Sequence, residues 1–311
     1  MMTYRTLTKD TLANSFGTTV EDLTPSCLEI FDSMKKGYTI VEGAERENLI
    51  TNVLKRIEND KQIIGAPERT DKWHKGWKEN LDALRESNHD LNSLMPKFIR
   101  KNQPIRFMGE YILPEEEHFE HVYFNIYRTW LFEKTFSRYD SIYDIGCGSS
   151  YNLIKLCNMF PDKKVYGFDF VQSSVDIVSD LVEKHSLNAQ GGLFNMIEPN
   201  FNIELDNNSL VFTSGAIEQI ASKFEKFLDF LLEKKPQMVV HVEPTYEVYD
   251  QDLLFDYLAA KFHSKRGYTM GYLPRLKQLE LDGKIEILNV KRLNFGSLFF
   301  EGFTNIIWKP V

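Results

Sequence analysis

Apolar positions recur at three- and four-residue spacing through the first 140 residues, then give way to short apolar runs separated by helical lengths. Over residues 41–58, Leu49, Ile50, Val53, Leu54 and Ile57 make one stripe and predict a helix. Residues 71–85 place Trp73, Trp77, Leu81 and Leu84 on another, with Asp71 as its N-cap. The KQIIGAPERT stretch between them contains a glycine and a proline and reads as a connection. The segment around Pro104 and Pro114 reads as irregular or extended, followed by an aromatic-rich helix over 115–137 carrying Phe119, Tyr123, Tyr127 and Leu131. From residue 140 the rhythm is strand, turn, helix, strand. Strands are predicted at 141–145, 164–170, 191–196, 209–214 and 237–244, with helices near 150–160, 172–186, 216–234 and 250–264. KIEILNVKRL (284–293) and SLFFEGFTNIIW (297–308) predict a closing antiparallel hairpin that turns at Asn294-Phe295-Gly296. The expected fold class is α/β: a doubly wound, mostly parallel sheet with helices on both faces, preceded by a helical region.

Composition narrows the partners. The 311 residues carry 37 Lys and Arg against 45 Asp and Glu, a net charge of −8, which argues against a broad phosphate-neutralising face for nucleic acid. No apolar run approaches bilayer length and the first residues hold no apolar leader, so a cytoplasmic protein with no membrane partner is expected. Three cysteines, Cys27, Cys147 and Cys157, form no CxxC pair and predict neither a disulfide framework nor a zinc site.

The sharpest chemical signal is Asp144-Ile145-Gly146-Cys147-Gly148-Ser149-Ser150, directly after the first strand of the alternating half. Two glycines let the backbone turn tightly and approach a ligand, while the next helix points free N–H groups at it. Asp169 closes the second strand 21 residues after Gly148, the usual separation for an acid that accepts hydrogen bonds from ribose hydroxyls. A dinucleotide site wants a third glycine three positions after the second, and Tyr151 stands there instead, which counts against NAD or FAD.

With this acid-x-Gly-x-Gly motif, residues from about 140 onward resemble class I S-adenosylmethionine-dependent methyltransferases. The resemblance implies a seven-stranded sheet with one antiparallel strand at the edge, S-adenosylmethionine as cofactor, and a binding domain over 138–311. Residues 1–137 would then form a helical cap over the substrate. Carried over by position, Asp144 lies near the methionine end of the cofactor, and Gly146, Cys147 and Gly148 shape the loop beneath it. Asp169 takes the ribose hydroxyls, Phe170 lies beside the adenine, and Asn195 and Met196 follow the third strand where an adenine-binding Asp is common. Ser214 opens the SGAIEQI segment, which holds Gln219 where the family often has histidine.

Methyl transfer needs alignment and exclusion of water, with a base optional. His241 and Glu243 share one face of the fifth strand and read either as a base with its orienting carboxylate or as a hydrogen-bonded strand-end histidine. Glu218 either orients the acceptor or is a polar residue of a first helical turn. Tyr246 and Tyr249 either wall a pocket or pack. His118 and His121 among four glutamates read as a solvated helix face, so no metal is expected. Residues 261–279 carry Lys261, Lys265, Arg266, Arg275 and Lys277 and no acid, and read as a loop that receives an anionic substrate group or is merely solvated. The expected function is transfer of a methyl group to an oxygen or nitrogen of a small-molecule acceptor. The alternatives are a peptide or protein acceptor, and a non-catalytic S-adenosylmethionine-binding module.

Overall fold

A computed structural model of the chain describes residues 3–64, 67–95 and 101–311, and the side chains of 67–70 are not part of that description. The N-terminal region contains α1 (Lys9–Phe16), α2 (Pro25–Ser33), α3 (Gly43–Asn59), α4 (Pro67–Glu86) and α5 (Phe119–Thr135). Helix α4 begins at Pro67 rather than at an Asp71 cap, because a proline without an N–H costs nothing in a first turn. Of the predicted connection, residues 65 and 66 lie outside the described residues.

This region is not helical alone. Four short strands, β1 (Tyr4–Thr6), β2 (Gly37–Ile40), β3 (Ile105–Phe107) and β4 (Glu110–Pro114), build an antiparallel sheet in the order β1-β2-β4-β3. Each has three to five residues, too few to register as an alternating pattern.

The second half is the predicted alternation. It comprises β5 (Ser141–Ile145), α6 (Tyr151–Met159), β6 (Lys164–Asp169), α7 (Gln172–His185), β7 (Ala189–Leu193) and β8 (Ser209–Ser214). It continues with α8 (Glu225–Lys234), β9 (Met238–Glu243), α9 (Leu254–Arg266), α10 (Tyr272–Leu281), β10 (Ile285–Arg292), β11 (Phe295–Gly296) and β12 (Thr304–Pro310). The seven strands of the large sheet run in the order β10-β12-β9-β8-β5-β6-β7. Strands β5 to β9 pair in parallel, and β12 runs antiparallel to both β9 and β10. The antiparallel strand therefore sits one place in from the edge, not at it.

The sheet is buried on both faces, and alternation along each strand assigns the sides. Ile142, Leu210, Phe212, Val240 and Val242 join a cluster with Tyr123, Tyr127, Leu131 and Phe132 of α5. Tyr143, Ile145, Val211, Val239 and Trp308 face the other way, onto Phe227, Leu231, Leu276 and Leu279 of α8 and α10. Helix α5 thus shares one core with the large sheet, which fixes the N-terminal region against the domain it precedes.

Two expectations at the C-terminal end change. The basic stretch 261–279 is mostly helical, filling the end of α9 and most of α10, where Pro274 occupies the first turn and needs no N–H. Residues 294–296 are not a hairpin turn: Phe295 and Gly296 pair with Phe107 and Arg106 of β3 and add a fifth strand to the small sheet. A buried ion cluster secures this detour. Arg292 grips Asp256 at 2.6 Å through two nitrogens and Glu301 at 2.6 and 3.0 Å, while Arg106 lies 3.5 and 3.8 Å from the same two acids. Two cations and two carboxylates balance, which a buried set of charges requires.

Candidate active site

The C-terminal ends of β5, β6, β8 and β9 converge on the glycine loop, where an open α/β sheet offers its ligand crevice. Gly146 and Cys147 donate their N–H groups to the Phe168 carbonyl at 2.7 and 3.1 Å, stitching the loop to β6. Gly146 has φ +79°, and a Cβ there would lie 2.5 Å from the Ala216 Cβ, so only glycine fits against the loop after β8. Gly148, at φ +53°, meets the indole of Trp77, 2.8 Å from where its Cβ would stand. The ring of Trp77 stacks on Trp73, and His74 stands edge-on to Phe170. Helix α4 therefore lays an aromatic face over the glycine loop.

Asp169 holds the loop directly. Its two carboxylate oxygens each accept a backbone N–H at 3.0 Å, from Gly148 and Val171, and Ser174 donates its hydroxyl to the Gly148 carbonyl. Burial raises the Asp169 pKa against those bonds. Phe170 is 39% exposed, whereas Met196 is buried near Gly146. The Asn195 side chain accepts the Ile197 N–H at 2.9 Å, closing a turn of its own. Cys147 is buried and burial raises its thiol well above the ordinary range. Ser214 ends β8, half-buried, just before the turn at Gly215.

Two opposite charges flank the loop without forming an ion pair among the described residues. Asp144, 1% exposed, has an Oδ2 with no hydrogen-bond partner there, and burial, with the charge of Asp169, raises its pKa to about 7 against the opposing charge of Arg128. Arg128 of α5, 4% exposed, lies with its guanidinium 3.8 Å from the centroid of the Tyr151 ring. It donates to the Tyr151 carbonyl, Asn152 Oδ1 and Asn125 Oδ1 at 3.1–3.2 Å, all neutral acceptors, and burial lowers its pKa to about 10. The charge of Asp144 acts favourably on this guanidinium from beyond ion-pair distance, but desolvation outweighs it. The Tyr151 hydroxyl bonds His121 at 2.9 Å, and burial lowers that imidazole to about 4, so it is neutral.

The pairing expected for His241 and Glu243 is not formed. His241 is fully buried, and its Nε2 accepts the Trp308 indole N–H at 3.0 Å and the Tyr272 hydroxyl at 2.8 Å. Because indole nitrogen only donates, Nε2 carries no proton, and Nδ1–H donates to Thr213 Oγ1 at 2.9 Å. Desolvation takes the pKa to about 3. This geometry is that of a structural histidine. Replacing His241 with leucine leaves three buried polar groups short of a partner, and roughly 2–4 kcal/mol of stability is expected to go. Denaturant unfolding checks this; unchanged stability with lost turnover would return His241 to the role of base. Glu243 accepts the N–H groups of Ala216 at 3.0 Å and Glu218 at 3.4 Å, so it positions the loop that presses on Gly146. Burial raises its pKa to about 7. Glu218 is itself buried on that loop, with Gln219 donating to its Oε1 at 2.5 Å.

Among the candidate acceptor-binding residues, Tyr246 and Lys265 line one cavity beyond the end of β9. Arg266 does not join them: it pairs with Asp60 at 2.8 Å and donates to the Tyr268 hydroxyl at 3.0 Å. Among the described residues no cluster of His, Cys, Asp or Glu is arranged to hold a metal, and no helix is long and apolar enough to cross a membrane.

No family model matches the chain, and no curated protein matches it. Solved structures do. The 16S rRNA methylase ArmA aligns at 15% identity and TM-score 0.45, over 76% of this chain and 98% of that one. The O-methyltransferase NcsB1 from neocarzinostatin biosynthesis, in complex with S-adenosylmethionine and a naphthoic acid, aligns at 12% identity and TM-score 0.42. That match covers 61% of this chain and 58% of that one. A SAM-dependent methyltransferase from Aquifex aeolicus aligns at 16% identity and TM-score 0.40, over 58% and 87%. What the site does is decided by its own side chains.

Proposed function

We propose that this chain is a class I S-adenosylmethionine-dependent methyltransferase that methylates an oxygen or nitrogen of a small-molecule acceptor. One observation carries the proposal: an unpaired buried guanidinium and an orphaned carboxylate oxygen flank the same glycine loop. A free amino-acid group offers the complement of both, a carboxylate for Arg128 and an ammonium for Asp144. The nucleoside part then falls to Asp169, with Phe170, Asn195 and Met196 at the ends of the next two strands. A seven-stranded sheet with one inserted antiparallel strand supports the same reading.

When bound between Arg128, Asp144 and Asp169, the cofactor would supply an electrophilic sulfonium-linked methyl group. The chain has the simpler tasks of binding, aligning and drying the site. Gly146 and Gly148 let the backbone come close. Glu243 holds the 215–218 loop against Gly146, and Ser214 ends β8 beside it on the cofactor side. The aromatic face of α4 lies against the glycine loop and excludes water above it, which supports reading the N-terminal region as a cap. With His241 sealed in the core, the acceptor's proton leaves to water or to Glu218.

Asp144 makes the proposal testable without an acceptor. Its pKa, raised to about 7 in the free protein, is pulled down when an ammonium arrives. Binding of S-adenosylhomocysteine is therefore expected to release a proton below about pH 7, and affinity to rise with pH by up to about tenfold per unit until the carboxyl is ionised. Calorimetry in two buffers of different ionisation enthalpy measures the proton directly. Affinity that is independent of pH between about 5.5 and about 7.5 would detach Asp144 from the cofactor, and the Asp144→Asn variant should lose the pH dependence.

A further inference from the structure

A cavity of about 520 Å³ lies between α3 and α9, within the size range of small-molecule sites. Tyr246, three residues past the end of β9, forms one wall, and Tyr257, Lys261, Ser264 and Lys265 of α9 form another. The cavity lies beyond the carboxyl end of a parallel strand, the side on which such sheets bind ligands. A run of contacts joins it to the loop beside Gly146. The Tyr246 ring packs on His263, His263 bonds the Thr269 carbonyl, and Thr269 bonds the carbonyl groups of Ile217 and Glu218.

Its charges are unusual for this chain. Arg266 and Arg275 on the same stretch are neutralised by Asp60 and Glu225, but Lys261 and Lys265 form no ion pair among the described residues. Glu58 is the one acid on the described lining, and Asp60, already held by Arg266, also feels the charge of Lys265. Lys261 lies 5.9 Å from the centroid of the Tyr257 ring, so a cation and an aromatic face are presented together. In a protein of net charge −8, a half-enclosed site with two tyrosines and two unpaired lysines is complementary to a flat ring that bears an anion.

We infer that this cavity holds the methyl acceptor, an aromatic compound carrying a phosphate or carboxylate that Lys261 and Lys265 receive. The inference rests on the methyltransferase reading for its word acceptor, but the binding site itself does not.

Phenyl phosphate and benzoate, which differ in the anion, serve as probes, with benzyl alcohol as the neutral ring and inorganic phosphate as the bare anion. Calorimetric titration of the full chain is compared with that of the Lys261→Gln, Lys265→Gln double variant. Both lysines reach solvent, and the thermal unfolding midpoint of the variant verifies its fold. Wild type is expected to bind at least one ring-bearing anion at least tenfold more tightly than either benzyl alcohol or inorganic phosphate. The double variant should lose that advantage, as should wild type in high salt. Equal affinity in wild type and variant would overturn the site, and inorganic phosphate binding as well as phenyl phosphate would remove the aromatic half of the claim. S-adenosylhomocysteine is titrated into the same samples. If it fails to bind wild type while the lysine-dependent site persists, the methyltransferase reading and the acceptor role fall together; if it binds while the lysines make no difference, only the cavity's assignment fails.

Discussion

Replacing Arg128 with methionine is expected to weaken binding of S-adenosylhomocysteine by about 30-fold or more, the loss seen when one partner of a buried charge pair is truncated. The argument is electrostatic. Arg128 spends its desolvation on three neutral acceptors, which keep the guanidinium in place but do not cancel its charge. Asp144 acts on it only from beyond ion-pair distance, so a carboxylate arriving between α5 and the start of α6 adds a direct countercharge in a site where water screens little. Lysine at this position keeps the charge but loses the planar fork, so Arg128→Lys should fall between the two. Equilibrium dialysis with labelled ligand measures all three proteins. If the methionine variant binds as wild type does while remaining folded, Arg128 is a packing residue and the cofactor's amino-acid group lies elsewhere.

Gly146→Ala is expected to damage both the stability of the fold and the ligand crevice. Its φ of +79° costs a side chain roughly 1–2 kcal/mol, and the added methyl would stand 2.5 Å from Ala216, adding an overpacking cost of about 1–3 kcal/mol. The total, about 2–5 kcal/mol, falls on the contact between the two loops that form the ligand crevice. Gly215 provides the control. It also has positive φ, +62°, but nothing lies within 4 Å of its would-be Cβ, so alanine there pays only the backbone cost. Urea unfolding of both variants separates the two contributions, and S-adenosylhomocysteine affinity should collapse for Gly146→Ala. Equal destabilisation by the two substitutions would show that the loops part without cost and that Gly146 is not a close-approach glycine.

The alternating half was legible because its physics is local. Strands buried on both faces read as continuous apolar runs, helices between them repeat at the right length, and the glycine loop falls where one becomes the other. Spacing singles out Asp169, and the structure puts it in hydrogen-bonding contact with Gly148. What sequence could not show was made by distant segments. Phe295 and Gly296 look like a turn, yet they pair with β3, nearly 190 residues earlier in the chain. The strands of the small sheet are likewise too short to show a period. His241 sat on the right face to be a base, but only the side chains of Trp308 and Tyr272, brought in from other elements, reveal that its Nε2 is already taken.

Arg128 and Trp77 were missed as site residues for a related reason: both lie in helices whose stripes announce packing. A signal was present for the arginine. In Tyr123-Phe124-Asn125-Ile126-Tyr127-Arg128-Thr129-Trp130-Leu131-Phe132 it is the only charged residue, and a full charge on an aromatic helix destined for the core needs a reason. Trp77 offered none, since an indole on a helix stripe packs far more often than it covers a binding loop.

The central claim is that the glycine loop binds S-adenosylmethionine, and calorimetric titration of the purified chain with S-adenosylhomocysteine, with NADH as control, tests it most directly. A methyltransferase binds the former in the micromolar range and ignores the latter, and the indole of Trp77 on Gly148 should report the same event in its fluorescence. Binding of NADH alone would contradict the claim and make the loop a dinucleotide site despite Tyr151.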